Sequence, residues 1–193
     1  DHVDEGTVEH RVPEIVAACR EVAERLALPA VAAVEVTRVP PERLARVAAR
    51  ARSLGAQLVV VHGETLGDFP QPGLNLAACR CPDVDILGHP GLITEAAAEL
   101  AREHQIHLEV TAAGLHGLTN GHVVKLALHV GARLVLDSDA HRPESLLTSE
   151  RQRQVLEGSG LDPQAVERIA SQGPQEVLAK RGIQLSLPQP AAS

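Results

Sequence analysis

Aromatic side chains are almost missing from this chain. Phe69 is the one phenylalanine in 193 residues, and tyrosine, tryptophan and methionine are absent. The core must therefore be built from valine, leucine, isoleucine and alanine. Lysine is nearly as scarce, with Lys125 and Lys180 alone, so arginine carries most of the positive charge. No apolar run approaches the length of a membrane-spanning helix, and no basic-then-apolar leader is visible, so no membrane partner is expected. Cys19, Cys79 and Cys81 are too few, and odd in number, for a disulfide scaffold; free thiols fit a cytoplasmic protein. The pair Cys79 and Cys81 lacks the usual zinc spacing and reads as buried or partly exposed thiols. A net charge of -7, without a run of one sign, gives no bulk attraction for nucleic acid, although a local phosphate site remains compatible. A chain that starts at Asp1 and lacks methionine is expected to be a processed or cropped part of a longer product.

What is abundant is alternation between two hydrophobic periods. Helical patterns run over 12–26, over the stretch from Pro41 to Gly55, and over 74–80, 93–105 and 120–131. Three further helical segments are expected at 143–158, 162–172 and 173–181. Short apolar strand patterns fall at 30–39, 56–63, 84–91, 106–113 and 132–140. Strand followed by helix, repeated in this way, implies an α/β domain with a parallel sheet and crossover helices. The domain is expected to span 1–182, with 183–193 as a frayed tail. No strand is followed by GxGxxG or GxxxxGK[ST], so a dinucleotide or P-loop site has no motif support.

The polar residues sit where the apolar runs end. Glu35 lies within "AAVEV", His62 closes "VVVHG", His89 closes "DILGHP", Glu109 lies within "HLEVT", and Asp139 and His141 close "VLDSDAH". Alternation along an extended chain would place Asp139 and His141 on one face. A lone histidine at a strand end is most simply a hydrogen-bonded turn residue. A carboxylate such as Glu35, surrounded by alanine and valine, needs a cation or several donors. Ligand-type side chains at strand end after strand end point to a shared metal site at the C-terminal rim of a sheet. His10, His104, His107 and His129 are expected at surface or boundary positions. His116 and His122 fall in the loop and helix start on the site face, with either a site or a structural role open to them.

The order "DH", "VEV", "VVHGE", "DILGHP", "LEVT", "SDAHRP" resembles the polymerase and histidinol phosphatase (PHP) superfamily over residues 1 to about 143. The resemblance implies a distorted seven-stranded β/α barrel, here lacking its first strand and helix, and a metal-dependent phosphoesterase. It assigns His2, Glu35, His62, His89, Asp139 and His141 as metal ligands, with Glu35 bridging. Up to three divalent ions, zinc, manganese or iron, serve the family site. The His-x-His motif that completes the family's ligand set has no counterpart, because the chain begins at the position of His2.

The activity so implied is hydrolysis of a small phosphate monoester, as in a histidinol phosphatase, by a metal-bound hydroxide. Asp139 and His141 would relay a proton to the leaving alcohol. Arg142 and Arg38 are candidates to bind the substrate phosphate, with a surface role as the alternative for each. Two other readings stay open: a PHP-like binding or scaffold module without catalysis, and a metal-dependent hydrolase of another ester or amide.

Overall fold

The computed structural model describes residues 1–69 and 71–185. Its strands are β1 (His2–Val3), β2 (Ala33–Val36), β3 (Leu58–His62), β4 (Ile86–Gly88), β5 (His107–Thr111) and β6 (Leu134–Asp137). Its helices are α1 (Val8–Leu26), α2 (Pro41–Ser53), α3 (Leu74–Arg80), α4 (Glu95–Glu103), α5 (Asn120–Val130), α6 (Ser149–Gly158) and α7 (Pro163–Lys180). All neighbouring strands pair in parallel, in the order β1-β2-β3-β4-β5-β6.

The α/β class and the parallel sheet are as the sequence periods imply. The seven-stranded barrel is not: six strands form an open sheet, and among the described residues β1 and β6 share no ladder. Closure requires backbone pairing between the two outer strands, and β1 offers only two residues.

Each strand splits its side chains between two environments. Val34, Val36, Val59, Val61, Leu87, Leu108 and Val110 join the main core with α1 to α6 and the first half of α7. Ala33, Leu58, Val60, Ile86 and Val135 form a smaller apolar floor, covered by Val177 and Leu178 of α7 and by Ile183. Further along the strands the floor residues give way to His62, Glu109 and Asp137, so period-two alternation delivers the polar groups to the uncovered end of that face.

Local signals explain the element ends. Thr94, Thr148 and Asp162 accept hydrogen bonds from backbone N–H groups three residues on, capping α4, α6 and α7. Pro41 opens α2, where its missing N–H costs nothing. The sequence places a break between 172 and 173 that the structure does not have: α7 runs through Gly173 and Pro174. Gly173 sits 3.4 Å (as a would-be Cβ) from the Leu134 carbonyl, so its lack of a side chain lets the helix lie against β6. Of the expected tail, Ile183 packs on the floor, and residues 186–193 lie outside those described.

Candidate metal centre

Glu35, at the third position of β2, is the hub. Its Oε1 lies 3.0 Å from His62 Nδ1 at the end of β3 and 3.5 Å from His89 Nε2 beyond β4. The two imidazole nitrogens are 2.9 Å apart. These three separations resemble the edges of a tetrahedron built on bonds of ~2.0–2.1 Å, which are ~3.3 Å long. One N–H on His62 Nδ1 cannot serve both Glu35 and His89, whereas three lone pairs directed at one cation satisfy all of them. The donor set, two imidazoles and a carboxylate, fits zinc, manganese or iron.

The other carboxylate oxygen turns toward β1. Glu35 Oε2 is 3.2 Å from His2 Nε2. His2 in turn belongs to a second group with Asp139 and His141, whose ligand atoms lie within 4.8 Å of one another. All six residues singled out as ligands thus fall into two three-residue groups, and Glu35 reaches both. Asp139 and His141 do not converge by strand alternation, however. β6 ends at Asp137, Asp139 adopts φ 45°, and His141 Nδ1 approaches the Asp139 carbonyl oxygen at 2.9 Å across a turn. His89 has φ 28°, directly before Pro90, and Arg38 has φ 59°. Three rim residues therefore hold left-handed backbone without being glycine, a cost typical of positions fixed by surrounding structure for a functional purpose.

A second layer was not assigned from the sequence. His89 Nδ1 lies 3.0 Å from Glu109 Oε2, and the His89 backbone N–H also donates to that oxygen. With Nδ1–H engaged, His89 presents Nε2 as a lone pair to the centre, the usual arrangement behind a metal-bound histidine. Gly88 makes room for Glu109, since a Cβ there would lie 3.2 Å from Oε2. Glu109 is buried. Burial pushes the Glu109 and Asp137 carboxyls up, Asp137 strongly, where the neighbouring Glu109 adds to the rise; at Glu109 the contact with Asp137 and the His89 N–H oppose it. Alternation carried one step back from Asp139 would have flagged Asp137. Burial also opposes ionisation of Glu35, but hydrogen bonds from His2 and His62 hold it well below the usual carboxylate range. His2 is raised, mainly by its hydrogen bond to Glu35.

The remaining histidines separate clearly. His116 stacks on His89 with ring centroids 4.4 Å apart, and its Nδ1 is 2.7 Å from Thr65 Oγ1. Thr65 is fully buried and accepts from Gly67 N–H, and His116 Nδ1 is the one acceptor in reach of its hydroxyl proton among the described residues, so the hydroxyl donates to Nδ1 and Nε2 carries the ring proton. Burial keeps the ring neutral by lowering its pKa. His122 instead bonds the Ile93 carbonyl at 2.8 Å and is structural. His107, expected near the surface, is fully buried, and neither ring nitrogen has a hydrogen-bond partner. Cys79 and Cys81 are buried, and burial pushes the Cys79 thiol up to about 12.

Arg142 follows the ligands into the wall of an open cavity of about 590 Å³ beside Asp139, His141 and His116. Arg38 is exposed but does not line that cavity; its charge falls instead on Asp4 and Asp68, whose carboxyls are lowered first by hydrogen bonds from Thr7 and from Phe69 N–H respectively.

Comparison with known proteins follows this geometry. The chain is 37% identical over 147 residues to the uncharacterized protein MJ1295 of Methanocaldococcus jannaschii, covering 76% of this chain and 67% of that one. The chain belongs to the family of that archaeal protein. No family model matches it. Among solved structures, it resembles a chain in a cryo-EM structure of archaeal ribonuclease P with mature tRNA, with TM-score 0.69, 18% identity, and coverage of 93% of this chain and 85% of that one. It also resembles a crystal structure of an uncharacterized protein, with TM-score 0.52, 19% identity, and coverage of 87% and 48%. At such identities the likeness extends to the fold alone. No helix among the described residues is long and apolar enough to cross a membrane.

Proposed function

We propose that this family member is a metal-dependent phosphoesterase, acting on a phosphate monoester at the C-terminal rim of its sheet. One observation carries the reading: Glu35 spans two three-residue ligand groups drawn from β1, β2 and the ends of β3, β4 and β6. The resemblance to the PHP superfamily, which singles out the same residues, supports it. Zinc, manganese or iron held there would supply Lewis acidity for the phosphoryl oxygens and an acidified water. Glu35 orients the two groups. Glu109 fixes the tautomer of His89. His116 offers a neutral N–H at the cavity wall for a phosphoryl oxygen. Arg142, in the cavity wall beside Asp139 and His141, attracts the phosphate. Phosphate release from p-nitrophenyl phosphate, present with Mn²⁺ or Zn²⁺ and abolished by chelation, is the expected result. Metal uptake without any release would sink the catalytic reading.

A second reading has its own support. The backbone likeness to a chain of archaeal ribonuclease P covers nearly the whole molecule, which favours a module that binds RNA or a partner protein without catalysis. Binding of tRNA at physiological salt, unaffected by chelation and with no phosphatase activity, is what this alternative expects.

A further inference from the structure

We propose that Asn75, on α3, is a positioning residue of the candidate metal centre. Its one amide joins the loop after His62 to the loop after His89 and so sets the spacing of those two imidazoles. This rests on the metal-binding part of the reading above and adds a residue outside both ligand groups.

Strand pairing alone does not place His89. His62 is the last residue of β3 and pairs with Gly88, the last of β4. His89 therefore lies one step past the ladder, with left-handed backbone at φ 28°. Glu109 holds its Nδ1 and its backbone N–H, but Glu109 belongs to β5, so that contact refers His89 to β5 and not to β3. The reference to β3 comes through Asn75, which is buried with both ends of its amide engaged. Its Oδ1 accepts from the Glu64 N–H at 3.0 Å, two residues after His62. Its Nδ2 donates to the Pro90 carbonyl at 2.7 Å, one residue after His89. Glu64 Oε1 accepts in return from the Asn75 N–H at 2.9 Å. Between the loops, the Gly63 N–H donates to the Gly88 carbonyl at 2.9 Å. The loops approach so closely that a Cβ on Gly63 would run into the Gly88 carbonyl oxygen, and one on Gly91 into the Glu64 carbonyl oxygen. An amide carries a donor and an acceptor on one carbon, which neither a carboxylate nor an apolar side chain of that size does. The product of this clamp is the 2.9 Å separation of His62 Nδ1 and His89 Nε2. Ligands set in place before the ion arrives lose less freedom on binding it.

Zinc alone, added to the full chain, is the probe. Free zinc is set with a chelator buffer, and long-range ¹H–¹⁵N spectra follow the imidazole nitrogens. In the wild type, His62 Nδ1 and His89 Nε2 are expected to shift together as the ion binds. Asn75→Leu keeps similar bulk and removes both amide bonds. Asn75→Asp keeps the acceptor for the Glu64 N–H and sets a second oxygen against the Pro90 carbonyl. In each, the affinity read from these rings should fall at least about tenfold, and one ring should cease to follow the ion. Asp85→Ala controls for lost stability, since Asp85 is a buried carboxylate just before β4, at the opposite end of that strand from His89. Its folded fraction should bind zinc like the wild type, with both rings shifting. Unaltered affinity and paired shifts in whichever Asn75 variant folds make the amide a loop anchor without effect on the centre and overturn the proposal, as does an equal loss in Asp85→Ala. The phosphoesterase reading fails on a different measurement: zinc held by both rings with no phosphate release defeats catalysis and leaves the clamp standing. A wild type in which neither ring responds to zinc defeats both.

Discussion

Replacing Glu35 by glutamine keeps its shape and removes the charge that two ligand groups share. Metal content measured by elemental analysis should fall for both groups together, and metal-dependent phosphate release with it. Glu109→Gln acts one layer further out. It weakens the hydrogen bond that fixes His89, so metal affinity should drop about 10–100-fold while the ligands themselves remain. Loss of one group's metal only in Glu35→Gln would show that Glu35 does not link them. His107 provides a different residue-scale test. Burial, reinforced by Arg133 and Lys180, lowers its pKa to about 4, from an ordinary 6.5. Between those values the unfolded chain binds a proton that the folded chain refuses. Stability from this group is therefore complete above pH 6.5 and is lost as pH falls toward 4, by about 3 kcal/mol. Urea denaturation of the wild type and of His107→Leu at pH 7 and at pH 4.5 checks this. The variant should lose clearly less stability over that interval; equal losses would refute the assignment. The buried state of His107 was not legible in the sequence, because a histidine at a strand start looks alike whether its face is open or covered by α7.

At the scale of elements, the helices and strands followed from hydrophobic period and from punctuation. Residues 74–80 were read as a helix and form one. The merged α7 shows the limit. Gly173 and Pro174 look like a stop locally, but contact with β6 carries the helix through. A polar tie at the opposite end of the sheet was also invisible in one dimension. Asp85, just before β4, is fully buried. It accepts from the Val59 N–H at 2.8 Å and pairs with Arg52 of α2 and Arg181 after α7, with Lys180 at 4.0 Å. One carboxylate therefore fastens a helix from each end of the chain to the middle strands. Asp85→Ala strands those cations and should cost about 3 kcal/mol, since breaking a buried pair leaves the partner charge uncompensated. Guanidinium denaturation measures it. A loss under about 1 kcal/mol would mean that water solvates the cations without Asp85. Because this tie lies far from the rim, metal binding by the folded fraction should be unchanged.

For the whole molecule, the decisive feature is that the sheet is open yet its two outer strands meet at the rim. β1 and β6 share no ladder, but His2 from β1 and Asp139 and His141 beyond β6 form one ligand group. The sequence pointed to the candidate ligands His62, His89, Asp139 and His141 because they close apolar runs, whereas His2 came from the resemblance alone. It misjudged closure, because closure depends on backbone pairing that no side-chain pattern records. A cation in that group would tie together edges that hydrogen bonds do not, so binding and global stability are coupled. Metal at about 100 times its dissociation constant should add about 2.7 kcal/mol. The melting temperature should therefore rise with Mn²⁺ or Zn²⁺ and fall on chelation. Hydrogen exchange at Val3 and at the backbone of β6 should slow in the same titration. His141→Ala separates the tie from the other group. The Glu35–His62–His89 set joins only neighbouring strands, so its metal should still bind in this variant. Protection of β1 should then disappear, although part of the thermal shift persists. Equal protection of β1 in His141→Ala and wild type would show that the edges are held by packing alone, with β1 secured by Val3 in the core and not by an ion at the rim.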